Sequence, residues 1–217
     1  MSQFKLPVRD DWCLESEDIQ VGDEIGRGAF GVVHKSSYHG MHVAVKKIAS
    51  SAEESEGKFA LELLKNEVRQ LSKLRHQNIV QLIGICENPI MLVLAFAEHR
   101  NLKKYVDNNP SISHSEKLNI LNGVTQGMAL LHKKNVLHLD LKPQNVLIGK
   151  DGVPWISDFG LSKARTTMTS KGGSSTQGGR GTAQYKAPEL SRPKRQGGAQ
   201  YDNPADIYSF SMMFWEL

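Results

Sequence analysis

The chain has 217 residues, 39% of them hydrophobic, with 27 Lys and Arg against 23 Asp and Glu and a formal net charge of +4. That length carries one domain, or one domain of two lobes, with a real core, and no apolar run approaches the roughly 20 residues a membrane-spanning helix needs. Two distant cysteines, Cys13 and Cys86, do not make a disulfide framework and imply a reducing cytoplasmic setting, and the first residues carry no apolar stretch of a secretory signal.

Residues 1–18 form a lead-in. Runs at 19–25 and 32–38 read as strands on either side of a glycine-rich turn, and His39-Gly40 separates the second from a third strand at 42–48. A helix over 55–74 follows, with Phe59, Leu63, Leu64, Val68 and Leu71 at helical spacing. Residues 80–86 and 91–96 read as strands joined across Asn88-Pro89. Beyond Glu98 the period becomes helical: one helix over 101–108, and a longer one over 115–134. The longer helix has an apolar stripe of Leu118, Leu121, Val124, Met128 and Leu131, with Ser113 or Ser115 as N-cap. Short strands at 146–148 and 153–156 bracket a Gly-Lys-Asp-Gly turn. Residues 166–181 are rich in Gly, Ser and Thr, and 204–217 form a hydrophobic helix. A strand-rich small lobe followed by a helix-rich large lobe is implied.

Between Gly160 and Gln200 stand eight Lys or Arg residues and one acid, Glu189. A solvated basic loop accounts for them better than a nucleic-acid site, because no aromatic platform is interleaved. No nucleic-acid partner is expected.

The chemistry gathers in three places. Gly26-Arg27-Gly28-Ala29-Phe30-Gly31-Val32-Val33 lies between two strands, where glycines let backbone amides approach phosphate oxygens. A plain glycine-rich hairpin would look the same. A strand rather than a helix follows, unlike a dinucleotide-binding fingerprint, and no Gly-Lys-Ser/Thr ends it, unlike a Walker loop. Val43-Ala44-Val45-Lys46 places a cation at a strand end, where Glu67 on the next helix could hold it, with Glu62 as the rival. His138-Leu139-Asp140-Leu141-Lys142-Pro143-Gln144-Asn145 and Ser157-Asp158-Phe159-Gly160 supply two acids and an amide, a base and hard oxygen ligands that suit magnesium rather than zinc. His138 reads as a core histidine.

In this order, together with Ala187-Pro188-Glu189, these motifs resemble the protein-kinase signature set from about Trp12 onward. The resemblance implies an α+β bilobal fold over 19–217. Its small antiparallel-sheet N-lobe would span 19–97, and its helical C-lobe, lacking its last helices, 98–217. It implies ATP and Mg as cofactors and a Ser/Thr-bearing protein as substrate, with no membrane insertion and with scaffold or adaptor partners left open. Gly26, Arg27, Gly28, Ala29, Phe30, Gly31, Val32 and Val33 would cover the ATP phosphates, with Ile25 just before them. Lys46 would contact the α- and β-phosphates while paired with Glu67. Val33, Ala44 and Leu147 would sandwich the adenine, with Leu94 as gatekeeper and residues 95–97, ending in Ala97, as hinge. Asp140 would orient the substrate hydroxyl and accept its proton, Lys142 would neutralise the transferred group, and Asn145 and Asp158 would hold magnesium. Leu71, Leu82, His138 and Phe159 would form a stacked spine, although ordinary core packing accounts for them equally well.

Subfamily signals conflict. Leu82 to Cys86, Met91 to Leu94 and Leu102 to Tyr105 resemble cytoplasmic tyrosine kinases, whereas Lys142-Pro143-Gln144-Asn145 and Gly181-Thr182 follow the serine/threonine pattern. The mixture resembles the tyrosine-kinase-like group, and the catalytic loop favours serine/threonine. A tyrosine or dual-specificity kinase, or a nucleotide-binding pseudokinase scaffold, stands as the alternative.

Two departures matter. Leu139 replaces the arginine that in many kinases binds an activation-segment phosphate, so activity is expected without that switch. Thr166, Thr167, Thr169, Ser170, Ser174, Ser175 and Thr176 are the nearby hydroxyls. The sequence also stops at Leu217, just after Asp206-Ile207-Tyr208-Ser209-Phe210, which resembles the start of the large lobe's central helix. A fragment is expected, exposing Phe210, Met212, Met213, Phe214 and Trp215 and leaving a buried Glu189 without its arginine.

Overall fold

The computed structural model describes residues 10–28, 31–48, 54–164, 183–191 and 202–217. Its contacts divide the chain into two compact units, Met1–His76 with Val80–Glu98, and Gln77–Ile79 with His99–Leu217. The phosphosite and basic-loop expectations at 166–181 and 192–200 lie outside the described residues.

In the first unit β1 (Ile19–Gly28), β2 (Gly31–Tyr38) and β3 (Met41–Ile48) form an antiparallel meander. His39 and Gly40 take φ of 45° and 79°, the left-handed pair that lets a two-residue turn follow the strand twist. Periodicity ends β1 at residue 25, but the ladder runs on, pairing Gly26 with Val33 and Gly28 with Gly31. Backbone bonds to β2 override glycine's poor strand propensity, so the glycine-rich sequence is largely the closing end of a hairpin. Helix α1 (Glu54–Leu71) buries Leu63, Leu64, Val68 and Leu71. It stops before residue 74, where the Lys73 and Leu74 amides turn back to the carbonyls of Gln70 and Leu71. β4 (Leu82–Glu87) and β5 (Ile90–Ala95) complete a five-stranded sheet in the order β1-β2-β3-β5-β4.

One sheet face packs Ile19, Val43, Val45, Cys86, Met91 and Val93 together. Burial pushes the Cys86 thiol up to about 11, so it behaves as an inert apolar side chain. β4 is an edge strand, and the chain's own lead-in covers it. Cys13 makes a parallel bridge to Ile85, the Leu14 amide donates to the Ile85 carbonyl at 2.8 Å, and the Arg75 guanidinium lies 6.0 Å from the Trp12 ring centroid. Gly84 permits this approach: a Cβ there would stand 2.5 Å from the Leu14 side chain and 2.8 Å from the Trp12 carbonyl oxygen.

The second unit is mainly helical. Asn101 caps α2 (Leu102–Asn108), accepting the Lys104 amide. Ser113 caps α3 (His114–Lys133), accepting the Glu116 amide, while Glu116 accepts the Tyr105 hydroxyl at 2.6 Å. Four of the five residues of the predicted α3 stripe, Leu121, Val124, Met128 and Leu131, are buried. Leu118 is 57% exposed instead, and Ile120, Gly123 and Gly127 join the buried face. Apolar periodicity is blind to a face centred on glycine: a Cβ at Gly127 would meet the Asn78 carbonyl oxygen and the Ile156 methyl, both at 2.8 Å.

β6 (Val136–Leu137), β7 (Val146–Ile148), β8 (Pro154–Ile156) and β9 (Lys163–Ala164) form two short antiparallel pairs, β6 with β9 and β7 with β8. The first pair is too short to leave an alternation in the sequence. α4 (Pro188–Ser191) and α5 (Asn203–Glu216) follow. The tail of α5 corrects the expectation of a uniformly exposed patch. Met213 is fully buried, Phe210 and Met212 are half-buried, and only Phe214 and Trp215 of the five are exposed. Glu189, expected to be buried, is exposed.

Candidate active site

In the first unit, strand register gathers the expected nucleotide-facing residues. Directly paired residues share a sheet face, and so do residues two apart on a strand. Val33 pairs with Lys46, and Ala44 pairs with Leu94. Val33, Ala44, Lys46 and Leu94 therefore occupy one face, opposite the face that packs Val43, Val45 and Val93. Lys46 Nζ lies 2.6 Å from Glu67 Oε2. Glu67 is 1% exposed, whereas Glu62 is 65% exposed and bonds Lys65. Burial settles the choice between these two acids: Glu67 is the one that pairs with the β3 lysine.

The glycines divide into two kinds. A Cβ at Gly31 would sit 2.3 Å from the Lys47 carbonyl oxygen, so the fold itself requires glycine there. A Cβ at Gly26 would meet nothing within 4 Å. Packing against the described residues does not account for a glycine at position 26. Arg27 is exposed and forked to Glu24 through bonds of 3.1 and 2.6 Å, which raises the guanidinium pKa above its ordinary value. Ile25, Val32 and Val33 are half-buried on the same hairpin. Ala29 and Phe30 lie outside the described residues, as does the side-chain environment of Gly28.

In the second unit, Asp140, Lys142 and Asn145 converge. Lys142 Nζ is 2.9 Å from Asp140 Oδ2. Asn145 Nδ2 donates to the same oxygen at 2.9 Å and to the Asp140 carbonyl at 2.7 Å. The turn that makes this contact is local: Pro143 opens a 3-10 helix over Pro143–Asn145, and the Asn145 amide donates to the Lys142 carbonyl. With Nδ2 committed to Asp140, Oδ1 is the atom this amide can offer a hard cation. Ser157 donates to the Asn145 carbonyl through both its amide, at 2.9 Å, and its hydroxyl, at 3.0 Å. Asp158, the next residue, is thereby tied to the Asn145 turn. It is exposed and left-handed, with φ 63° and ψ 65°. Among the described residues no cluster of three His, Cys, Asp or Glu could hold a metal. The Asn145 amide oxygen and the Asp158 carboxylate are hard oxygen donors that suit a magnesium-like cation and not zinc.

Leu147 is half-buried on β7, while Leu94 and Ala97 are buried in the first unit. His138 is fully buried, as expected of a core histidine. It is also wired: the Asp140 amide donates to Nδ1 at 3.3 Å, so Nε2 carries the proton and donates to the Ser157 carbonyl at 2.9 Å. Its ring meets Phe159 edge-on at 5.2 Å.

Sequence reading missed the residue that holds this loop. Asp206, fully buried at the start of α5, accepts the His138 amide at 2.9 Å and the Leu139 amide at 2.8 Å, and pairs with His132 Nε2 at 3.0 Å. An acid in a helix's first turn reads from sequence as a partner for the helix dipole. Nothing in the sequence announces that this acid is buried.

A kinase-type small sheet with a Lys–Glu pair, and an Asp-Lys-Asn catalytic loop followed by Asp-Phe-Gly, define the class of this fold. Residues 19–217 match the protein kinase domain model, and the chain belongs to that family. It is 31% identical over 98% of its length to serine/threonine-protein kinase VIK of Arabidopsis thaliana. It is 36% identical over 93% to the probable serine/threonine-protein kinase SIS8 of the same plant. To human mitogen-activated protein kinase kinase kinase 7 it is 34% identical over 94%. The chain spans 49%, 19% and 32% of those proteins respectively. The names of the two plant proteins agree with the Lys142-Pro143-Gln144-Asn145 signal and not with the tyrosine-kinase-like features of the small lobe.

Proposed function

We propose that this chain is a serine/threonine protein kinase domain that transfers the terminal phosphoryl group of ATP to hydroxyls of protein substrates. The single observation that carries the reading is the convergence of Lys142 and Asn145 on one oxygen of Asp140. Two donors fix the carboxylate, so Asp140 presents a defined oxygen to a substrate hydroxyl. Asp140 orients that hydroxyl and takes its proton as the new O–P bond forms and the bond to the leaving diphosphate oxygen breaks. Lys142 offsets charge on the transferred group, and Lys46, held by Glu67, binds the α- and β-phosphates. On the first unit, Gly26 to Val33 cover the phosphates, and Val33 and Ala44 form the adenine-facing surface with Leu94 and Ala97 beside it. Asn145 and Asp158 hold magnesium, which neutralises phosphate charge when bound. Positioning and electrostatics supply most of the catalysis.

Serine/threonine preference is supported by Lys142 beside the acceptor-binding carboxylate and by the names of the relatives. A cytoplasmic setting and a role in signalling belong to the same proposal. No helix among the described residues is long and apolar enough to cross a membrane.

Magnesium-ATP turnover on serine, threonine and tyrosine peptides tests the reading. Asp140→Asn should lower the rate by at least a hundredfold. Equal rates for the two proteins would reject catalysis through Asp140 and favour a nucleotide-binding scaffold.

A further inference from the structure

Leu139 occupies an unusual position for its side chain. Its φ is 65°, in the left-handed region that residues bearing a Cβ disfavour. Such a conformation persists where the surroundings over-determine it. Here the Leu139 amide is held by Asp206 Oδ1 at 2.8 Å. The side chain then packs on a small apolar cluster of Ala187, Leu190 and Ala205, all buried. Ala187 begins the Ala-Pro-Glu sequence, Leu190 lies in α4, and Ala205 lies in α5. A four-residue helix cannot hold itself in place, so α4 takes its position from contacts of this kind. Leu139 is also the residue immediately before Asp140. The strained backbone thus sends one side chain to α4 while its neighbour carries the carboxylate of the site.

We propose that Leu139 is a positioning residue for phosphoryl transfer, an apolar latch that fastens α4 to the catalytic loop without any charged group. This rests on the kinase reading above and adds how the loop is coupled to α4. A guanidinium at this position would need an anion to satisfy it. A leucine against two alanines and a leucine needs none, so the contact forms whether or not nearby hydroxyls carry phosphate.

The test compares wild type, Leu139→Ala, Leu139→Met and Leu139→Arg in the whole protein, by peptide phosphorylation and by backbone hydrogen exchange across residues 187–191. Leu139→Ala and Leu139→Arg should lower kcat about tenfold, change the ATP KM less than twofold, and lose about tenfold protection in that segment. Leu139→Met should retain both. Phosphatase-treated wild type should keep its rate. Unchanged exchange and kcat in Leu139→Ala would overturn the latch, as would loss of wild-type activity on dephosphorylation. If wild type turns over no faster than Asp140→Asn, the kinase reading fails instead, and the exchange measurement still decides whether the latch exists.

Discussion

Asp206 offers the sharpest perturbation of the catalytic loop, because its carboxylate touches no residue assigned to chemistry except through the backbone. Oδ1 accepts the Leu139 amide, and Oδ2 faces both the His138 amide and His132 Nε2. In Asp206→Asn one oxygen becomes an NH2 group. Placing that group at Oδ2 would forfeit two bonds, so the amide should turn it toward the Leu139 amide and forfeit one. Losing one hydrogen bond to a charged acceptor and setting two buried donors face to face costs about 2–3 kcal/mol. Asp206→Ala strips all three and should cost about 3–5 kcal/mol, a large fraction of a typical domain's stability. With a urea slope of about 2 kcal/mol/M, the Asn variant should unfold roughly 1 M earlier and the Ala variant earlier still. Turnover at saturating ATP should fall more than tenfold in Asp206→Asn, at temperatures where the protein remains folded, since Asp140 follows the released amides. An Asn variant with an unchanged midpoint and unchanged kcat would refute the claim that this carboxylate holds the loop.

Further outcomes follow from particular contacts. Gly31→Ala should lower stability by about 1–3 kcal/mol, because its Cβ would strike the Lys47 backbone oxygen. Gly26→Ala should leave the melting temperature within about 2 °C yet raise the ATP KM severalfold; thermal melts and nucleotide titration separate the two, and a destabilised Gly26→Ala with normal KM would contradict a phosphate role. For the Lys46–Glu67 pair, Glu67→Ala removes the carboxylate partner of a lysine that is largely buried. It should cost turnover as well as about 1–3 kcal/mol, discounted for the 22% exposure of the lysine. The double variant Lys46→Met with Glu67→Leu should recover the stability and abolish ATP-dependent turnover, as denaturant unfolding and phosphotransfer assays would show.

The strands and long helices were legible because their periods are carried by side chains: alternation in β3, three-and-four spacing in α1, and a hydroxyl cap before α3. What escaped was carried by backbone. β1 continues through its glycines because β2 supplies ladder partners, which no property of Gly26 or Gly28 announces. In α3 the apolar spacing found Leu121, Val124, Met128 and Leu131, but it wrongly added exposed Leu118 and could not show that Gly123 and Gly127 share the buried face. The Lys46–Glu67 pairing was half legible: helical spacing narrowed it to two acids, and burial chose between them. Asp206 was invisible because its partners are the backbone amides of residues 67 and 68 positions earlier and a histidine on α3. Such a contact has no sequence period.

Two acids, Glu67 and Asp206, are almost wholly buried, each beside a partner that keeps some exposure: Lys46 at 22% and His132 at 17%. Burying a carboxylate is expensive, and apolar replacements of a buried pair are often as stable or more so. Stability alone therefore does not account for charge at either place. Each acid instead fixes a group whose position matters: Glu67 sets the lysine ammonium at the end of β3, and Asp206 sets the two amides that lead into Asp140. The same logic explains why Leu139 can be apolar. Its backbone is already held by a charge, so its side chain has only to bind α4, and for that purpose a methyl-rich surface against Ala187 and Leu190 suffices.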